Sequence, residues 1–266
     1  MVYPGGHAGT GNVFHYNNIY DNPGCGLNNQ ISSIVDAEYN YWGAQSGPYH
    51  PTINPMGQGN CVSDNVDFLP WLVRAHPDTL AVDDLELETL IPGTTTINVP
   101  ISDTTIIIET TTDTNITILH YTDNPGSTTF PGLSTPFGDY IDISVGDPGA
   151  VSWPIYLQIN YTTAELAAAH VNEHTLYGIS FYNDTAGEWQ LCSDTGVNTA
   201  DFDGYAGYVW ANLHQGELSP KVIVTWPFPI GGVMFPVNAV GMLVPILSVI
   251  ALIALIGGTT VTRRKD

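Results

Sequence analysis

A chain of 266 residues can hold one large domain or two ordinary ones. It carries 26 acidic against 5 basic residues, and Arg74 and Lys221 are the only fixed cations ahead of Arg263. A surface so poor in cations cannot neutralise phosphates, which excludes nucleic acid as a partner, and it offers acidic polysaccharides nothing to grip.

Residues 1–78 are rich in Asn, Gly and Tyr. "GNVFHYNNIYDNPGCGLNN" and "SSIVDAEYNYWG" are short apolar segments punctuated by Asn and Gly. Such segments cannot bury an apolar face alone; they do so by stacking as rungs of a solenoid. Asn suits the corners, because it tolerates left-handed backbone and its side chain can bond to the next rung. The elements "NNIYDN", "VDAEYNYWG" and "VDFLPWL" resemble the last coils and exit of a right-handed parallel β-helix. The family it resembles is the NosD-like or carbohydrate-binding/sugar-hydrolase repeat group found in prokaryotic surface proteins, and the resemblance runs from about Gly11 to Leu72.

The resemblance implies an open end that needs covering, and Trp42, Phe68 and Trp71 are the bulk available as a structural cap. For Trp42 the competing reading is a platform on which a sugar stacks. Few repeats remain, and "MVYPGGHAGTGN" has neither a basic nor an apolar leader region, so the chain is expected to be the C-terminal part of a longer precursor. Cys25 and Cys61 either pair, given an oxidising compartment, or stay buried thiols like Cys192. Their spacing matches no zinc site.

Polysaccharide hydrolysis would need two carboxyl groups flanking the scissile bond, and lyase chemistry a base with a cation. Asp21, Asp36, Glu38, Asp64 and Asp67 form no such pattern, and His7, His15 and His50 are scattered. No catalytic residue is assigned, and the chain is read as non-enzymatic.

"RAHPDTLAVDDLE" reads as a linker into residues 84–221. There the period is two: "VSWPIYLQINY" puts Val151, Trp153, Ile155, Leu157, Ile159 and Tyr161 on one face. "TINVPI", "NITILHY", "DYIDISV" and "YAGYVWANL" behave alike, and "TLYGISFYNDTAGEWQLC" reads as a hairpin turning at 183–187. "TTAELAAAH" is a short helix with Thr162 and Glu165 at capping-box spacing. The expected domain is a β-sandwich. Asn115, Asn160 and Asn183 each open a glycosylation triplet. Asp194, Asn198, Asp201 and Asp203 supply oxygen ligands of the kind calcium prefers, without EF-hand spacing, and the alternative is a solvated turn. No other cofactor is expected. Tyr182, Tyr208 and Trp210 could stack on sugars or pack within the sheets.

Residues 222–241 read as a Pro/Gly-rich stalk, 242–262 as a single membrane helix and 263–266 as a cytoplasmic tail, because Arg263, Arg264 and Lys265 follow a charge-free run. The tail is similar to those on modular surface proteins of archaea and some bacteria, without a sortase signal. The whole is therefore expected to be all-β: terminal coils of a right-handed parallel β-helix, a β-sandwich and one C-terminal transmembrane helix. It would sit in the cell membrane with residues 1 to about 230 outside. Its expected role is structural or adhesive display, with cell-envelope or environmental polysaccharide as a candidate partner. The alternatives are a fragment of a polysaccharide-degrading enzyme and a carbohydrate-binding module.

Overall fold

The computed structural model describes residues 12–132 and 134–225. Its first part is built of parallel passes. Val13 lies beside Asp36 and Asn18 beside Tyr41, and β1 (Val35–Asp36) pairs in parallel with β2 (Val66–Asp67). Leu27 with Val62 and Asn40 with Trp71 extend the same arrangement. Val35, Ala37, Val62 and Val66 turn into a common interior.

Asn40 is fully buried there because its amide is fully used. Its Oδ1 accepts from the Asn17 main-chain N–H at 2.8 Å, and its Nδ2 donates to the carbonyl of Ala37 at 2.7 Å and to that of Phe14. Asn60 Oδ1 likewise accepts from Asn22 Nδ2 at 2.9 Å. The left-handed corners fall mostly to other residues: Tyr16, Asp21 and Tyr39 have φ between 53° and 58°, with Asn65 at 59°. Here Asn ties one pass to the next more than it bends the chain. Cys25 and Cys61 form a disulfide, and Cys192 is a buried free thiol.

At β3 (Trp71–Leu72) the chain leaves the parallel stack and pairs antiparallel with β4 (Ala81–Leu90). β5 (Gly93–Val99), β6 (Thr104–Thr110), β7 (Thr114–Tyr121), β8 (Thr135–Val145) and β9 (Val151–Tyr161) follow. The helix α1 (Thr163–Ala168) starts at the expected capping box, Glu165 N–H donating to Thr162 Oγ1 at 3.2 Å. β10 (Leu176–Asn183) and β11 (Glu188–Leu191) make the expected hairpin. β12 (Thr195–Asn198), β13 (Gly207–Leu213) and β14 (Lys221–Thr225) complete the described chain.

The strands form a seven-stranded antiparallel sheet, β11-β10-β14-β8-β7-β4-β3, and a five-stranded one, β12-β13-β9-β6-β5. Their facing sides share one core. Ile116, Ile118, Ile141 and Ile143 come from the larger sheet and Ile106, Leu157, Ile159 and Val209 from the smaller. The larger sheet has a second apolar side, where Val82, Leu119, Tyr121, Val222 and Val224 join Trp42, Phe68 and Trp71. The fold is all-β with three layers: parallel passes, seven strands, five strands.

Two expected boundaries move. The linker reading of "LAVDDLE" is corrected, because Ala81–Leu90 is a strand that pairs with β7 from Val82 to Leu90, its register shifting once between Val82 and Asp84. The stalk expected from residue 222 begins inside β14, a fully buried strand between β10 and β8. A strand covered on both faces loses its alternation, so its sequence resembles any apolar run. Among the described residues no helix is long and apolar enough to cross a membrane. The expected membrane helix 242–262 and tail 263–266 lie outside the described residues.

Candidate functional site

The outward side of the five-stranded sheet collects planar polar and aromatic side chains. Strand alternation puts the odd residues of β9 into the core and leaves Tyr156, Gln158 and Asn160 on the outer side. Register then sets their neighbours. Gln158 stands between Thr105 and Trp210, and Tyr156 between Ile107 and Asn212. Tyr208 lies opposite Asn160. Glycine at 196 matters here, since a Cβ would come within 2.9 Å of the Trp210 indole, which lies across that position.

A hydrogen-bonded line fixes these groups. Tyr156 OH donates to Gln158 Oε1 at 3.1 Å, Gln158 Nε2 to Asn160 Oδ1 at 2.7 Å, and Asn160 Nδ2 to the Asp103 carbonyl at 3.0 Å. Tyr205 OH donates to Asp103 Oδ1 at 2.6 Å. Burial, then the neighbouring Tyr208, raises the Tyr156 phenol above its ordinary pKa, and the Asp103 hydrogen bond raises that of Tyr205. Both hydroxyls therefore keep their protons at neutral pH. Tyr156, Gln158, Asn160, Asp103 and Tyr205 line, with Asn98 and Phe202, a cleft of about 470 Å³. Phe202 is 44% and Ile107 36% exposed, so the cleft has an apolar rim in water.

The four expected calcium ligands do not gather as one set: among the described residues Asp194, Asp201 and Asp203 form no cluster of ligand atoms, and Asp201 and Asp203 are exposed. β12 runs extended from Thr195 to Asn198, which places the Cα atoms of Asp194 and Asn198 roughly 13 Å apart at about 3.3 Å per residue. Asp194 accepts from Asn212 Nδ2 at 2.7 Å, Asn198 Oδ1 closes on the Ala200 N–H, and Asp203 lies in a left-handed turn with φ 47°. The oxygen-rich stretch is a strand and a turn. Among the described residues, the group of three or more His, Cys, Asp or Glu side chains whose ligand atoms lie within 4.8 Å of one another is His15, Asp36 and Glu38 on the parallel passes. There His15 Nε2 and Asp36 Oδ1 are already hydrogen-bonded at 2.5 Å.

Trp42 and Trp71 are fully buried and Phe68 nearly so. Trp71 Nε1 donates to the Gln45 carbonyl at 3.0 Å, and its ring lies over Gly47, whose φ is 74°. This closeness is why the Ser46-Gly47-Pro48 turn needs glycine: a Cβ there would meet the indole at 2.5 Å. Of the glycosylation candidates, Asn160 Nδ2 is held by Asp103 and Asn183 Nδ2 donates to Gln190 Oε1 at 3.0 Å, whereas Asn115 is tied through its main-chain oxygen to Gly146.

Tyr156, Gln158, Asp103, Phe202 and Tyr205 carry no sequence motif. The available signal was the run of Tyr, Gln and Asn on the polar side of "VSWPIYLQINY". Asp103 and Tyr205 meet it only through the fold. No family model matches the chain, and no curated protein matches it.

Proposed function

We propose that the chain is a membrane-anchored, extracellular structural or adhesive surface protein without catalytic activity. In this reading the parallel passes are the terminal coils of a NosD-like right-handed β-helix, the two packed sheets are a β-sandwich serving as its base, and residues 242–262 are the anchor. The observation that carries it is the double use of Trp71, in parallel register with Asn40 and in antiparallel register with Val82. A rod joined to its base by shared sheet hydrogen bonds transmits load without a flexible hinge, which suits display. The Cys25–Cys61 disulfide supports an oxidising compartment. The apolar run ending at Arg263, Arg264 and Lys265 supports an outside-facing body.

The test is fractionation of cells expressing the chain behind an export signal, followed by protease on intact cells. The reading expects the chain in the membrane fraction and residues ahead of about 230 cut from outside. A chain free in the medium without cleavage, or a body protected from external protease, would overturn it.

A further inference from the structure

We propose that the outer side of the five-stranded sheet is a binding face for neutral glycans, with Tyr156, Phe202 and Tyr208 as stacking surfaces and Gln158, Asn160 and Asp103 as hydroxyl partners. The inference deepens the surface-protein reading and rests on it for the glycan's availability; the face itself is argued independently. A pyranose has C–H faces that pack on aromatic rings and rim hydroxyls that both donate and accept. The cleft offers this pair of surfaces together: rings at Phe202 and Tyr156, and on the same lining the Gln158 and Asn160 amides and the Asp103 carboxylate, whose hydrogen-bonding capacity exceeds what the line from Tyr156 to Asp103 uses.

Prior fixing of those side chains lowers the entropy lost when a ligand binds. Gln158 is 9% exposed and both ends of its amide are engaged, so it cannot swing away. Phe202 packs edge to face with Tyr208, their centroids 5.3 Å apart, which restrains its exposed ring.

Charge selects the class of glycan. Asp103 and Asp203 line the cleft. Among the described residues Lys221 is buried in the other sheet and Arg74 is engaged by Asp78 and the Pro125 carbonyl. Uronates and sulfated sugars would meet repulsion with no compensating cation, whereas neutral hexose chains bring hydroxyl donors to the carboxylates.

The experiment is affinity electrophoresis and calorimetry of the full chain in mild detergent, with soluble neutral glucan, mannan and galactan as probes and polygalacturonate as the anionic comparison. Retention by at least one neutral probe is expected, falling at least tenfold in Tyr156→Ala and in Phe202→Ala and unchanged in Tyr49→Ala, an exposed aromatic on the parallel passes. Tyr156→Phe keeps the ring and loses the hydroxyl; it should retain the fold by circular dichroism and bind at an intermediate level. Retention by none of the neutral probes, preference for polygalacturonate, or binding indifferent to Tyr156 and Phe202 would overturn the proposal. Failure here with external protease cleavage intact would sink the binding face alone; binding with the chain found inside the cell would sink the location alone.

Discussion

Trp71 pairs antiparallel with Val82, and the same residue sits in parallel register with Asn40, so one indole belongs to the last parallel pass and to the edge of the seven-stranded sheet. Its ring fills the space above Gly47 and contributes to the core that also holds Tyr121, Val222 and Val224. Trp71→Ala should cost roughly 3–5 kcal/mol, the usual range for emptying a large buried aromatic site. Because both parts lose contacts, urea unfolding followed by fluorescence and circular dichroism should stay a single transition at a lower midpoint. Two separated transitions in the wild-type chain would show that the layers are not coupled in this way.

The disulfide gives a second outcome. It closes a loop with a sequence separation of 36 residues, for which the chain-entropy estimate is about 4 kcal/mol. The double variant Cys25→Ser, Cys61→Ser should lower the urea midpoint by the corresponding amount. Cys192 should resist alkylation in the folded chain, because burial pushes its thiol up to about 12. Rapid alkylation of Cys192 without denaturant would contradict its burial.

How legible this fold was in the sequence depended on how different the two faces of each strand are. β9 was readable because Ile155, Leu157 and Ile159 face one core while Tyr156, Gln158 and Asn160 face out. β4 was not, since Asp83 and Asp84 look like linker residues; what makes them tolerable is that Asp83 finds His120 on the neighbouring strand, a partner far along the chain. β14 failed for the opposite reason, as all of it is buried and even Lys221 is covered, its Nζ donating to the Ser219 carbonyl at 2.6 Å. The bulk of Trp42, Phe68 and Trp71 was visible. What covers them was not, because Tyr121 and Val224 are placed by strand order rather than by proximity in sequence.

Glycosylation should discriminate among the triplets. The acceptor is the side-chain nitrogen, which Asn160 commits to the Asp103 carbonyl in the β5–β6 connection and Asn183 to Gln190 on the neighbouring strand. Asn115 is half-buried on β7, and its side chain is free of hydrogen bonds among the described residues. In a host that modifies Asn-X-Ser/Thr triplets, peptide mass spectrometry should find glycan at Asn115 and little at Asn160. Full occupancy at Asn160 would also cover the proposed binding face, and would be visible as lost retention on neutral glycans.

His120 supplies the pH dependence. It lies on β7 between β4 and β8, with Nδ1 2.5 Å from Asp83 Oδ1 and Nε2 3.5 Å from Asp139 Oδ1, the second contact being an ion pair rather than an aligned hydrogen bond. Burial pushes the imidazole pKa down, but the Asp139 and Asp83 carboxylates outweigh it and raise it to about 9. In the unfolded chain the same group titrates near its ordinary value of about 6.5. The folded state therefore holds the proton more tightly, and the stabilisation is complete below about pH 6.5 and lost as pH rises through about 9. A shift of that size corresponds to about 3 kcal/mol at most. Between about pH 6 and 9.5 the urea midpoint of the wild-type chain should lose ground to that of His120→Gln as pH rises, the difference between the two closing at the alkaline end. A difference that stays constant across that range would show that His120 contributes by packing alone and that its charge does no stabilising.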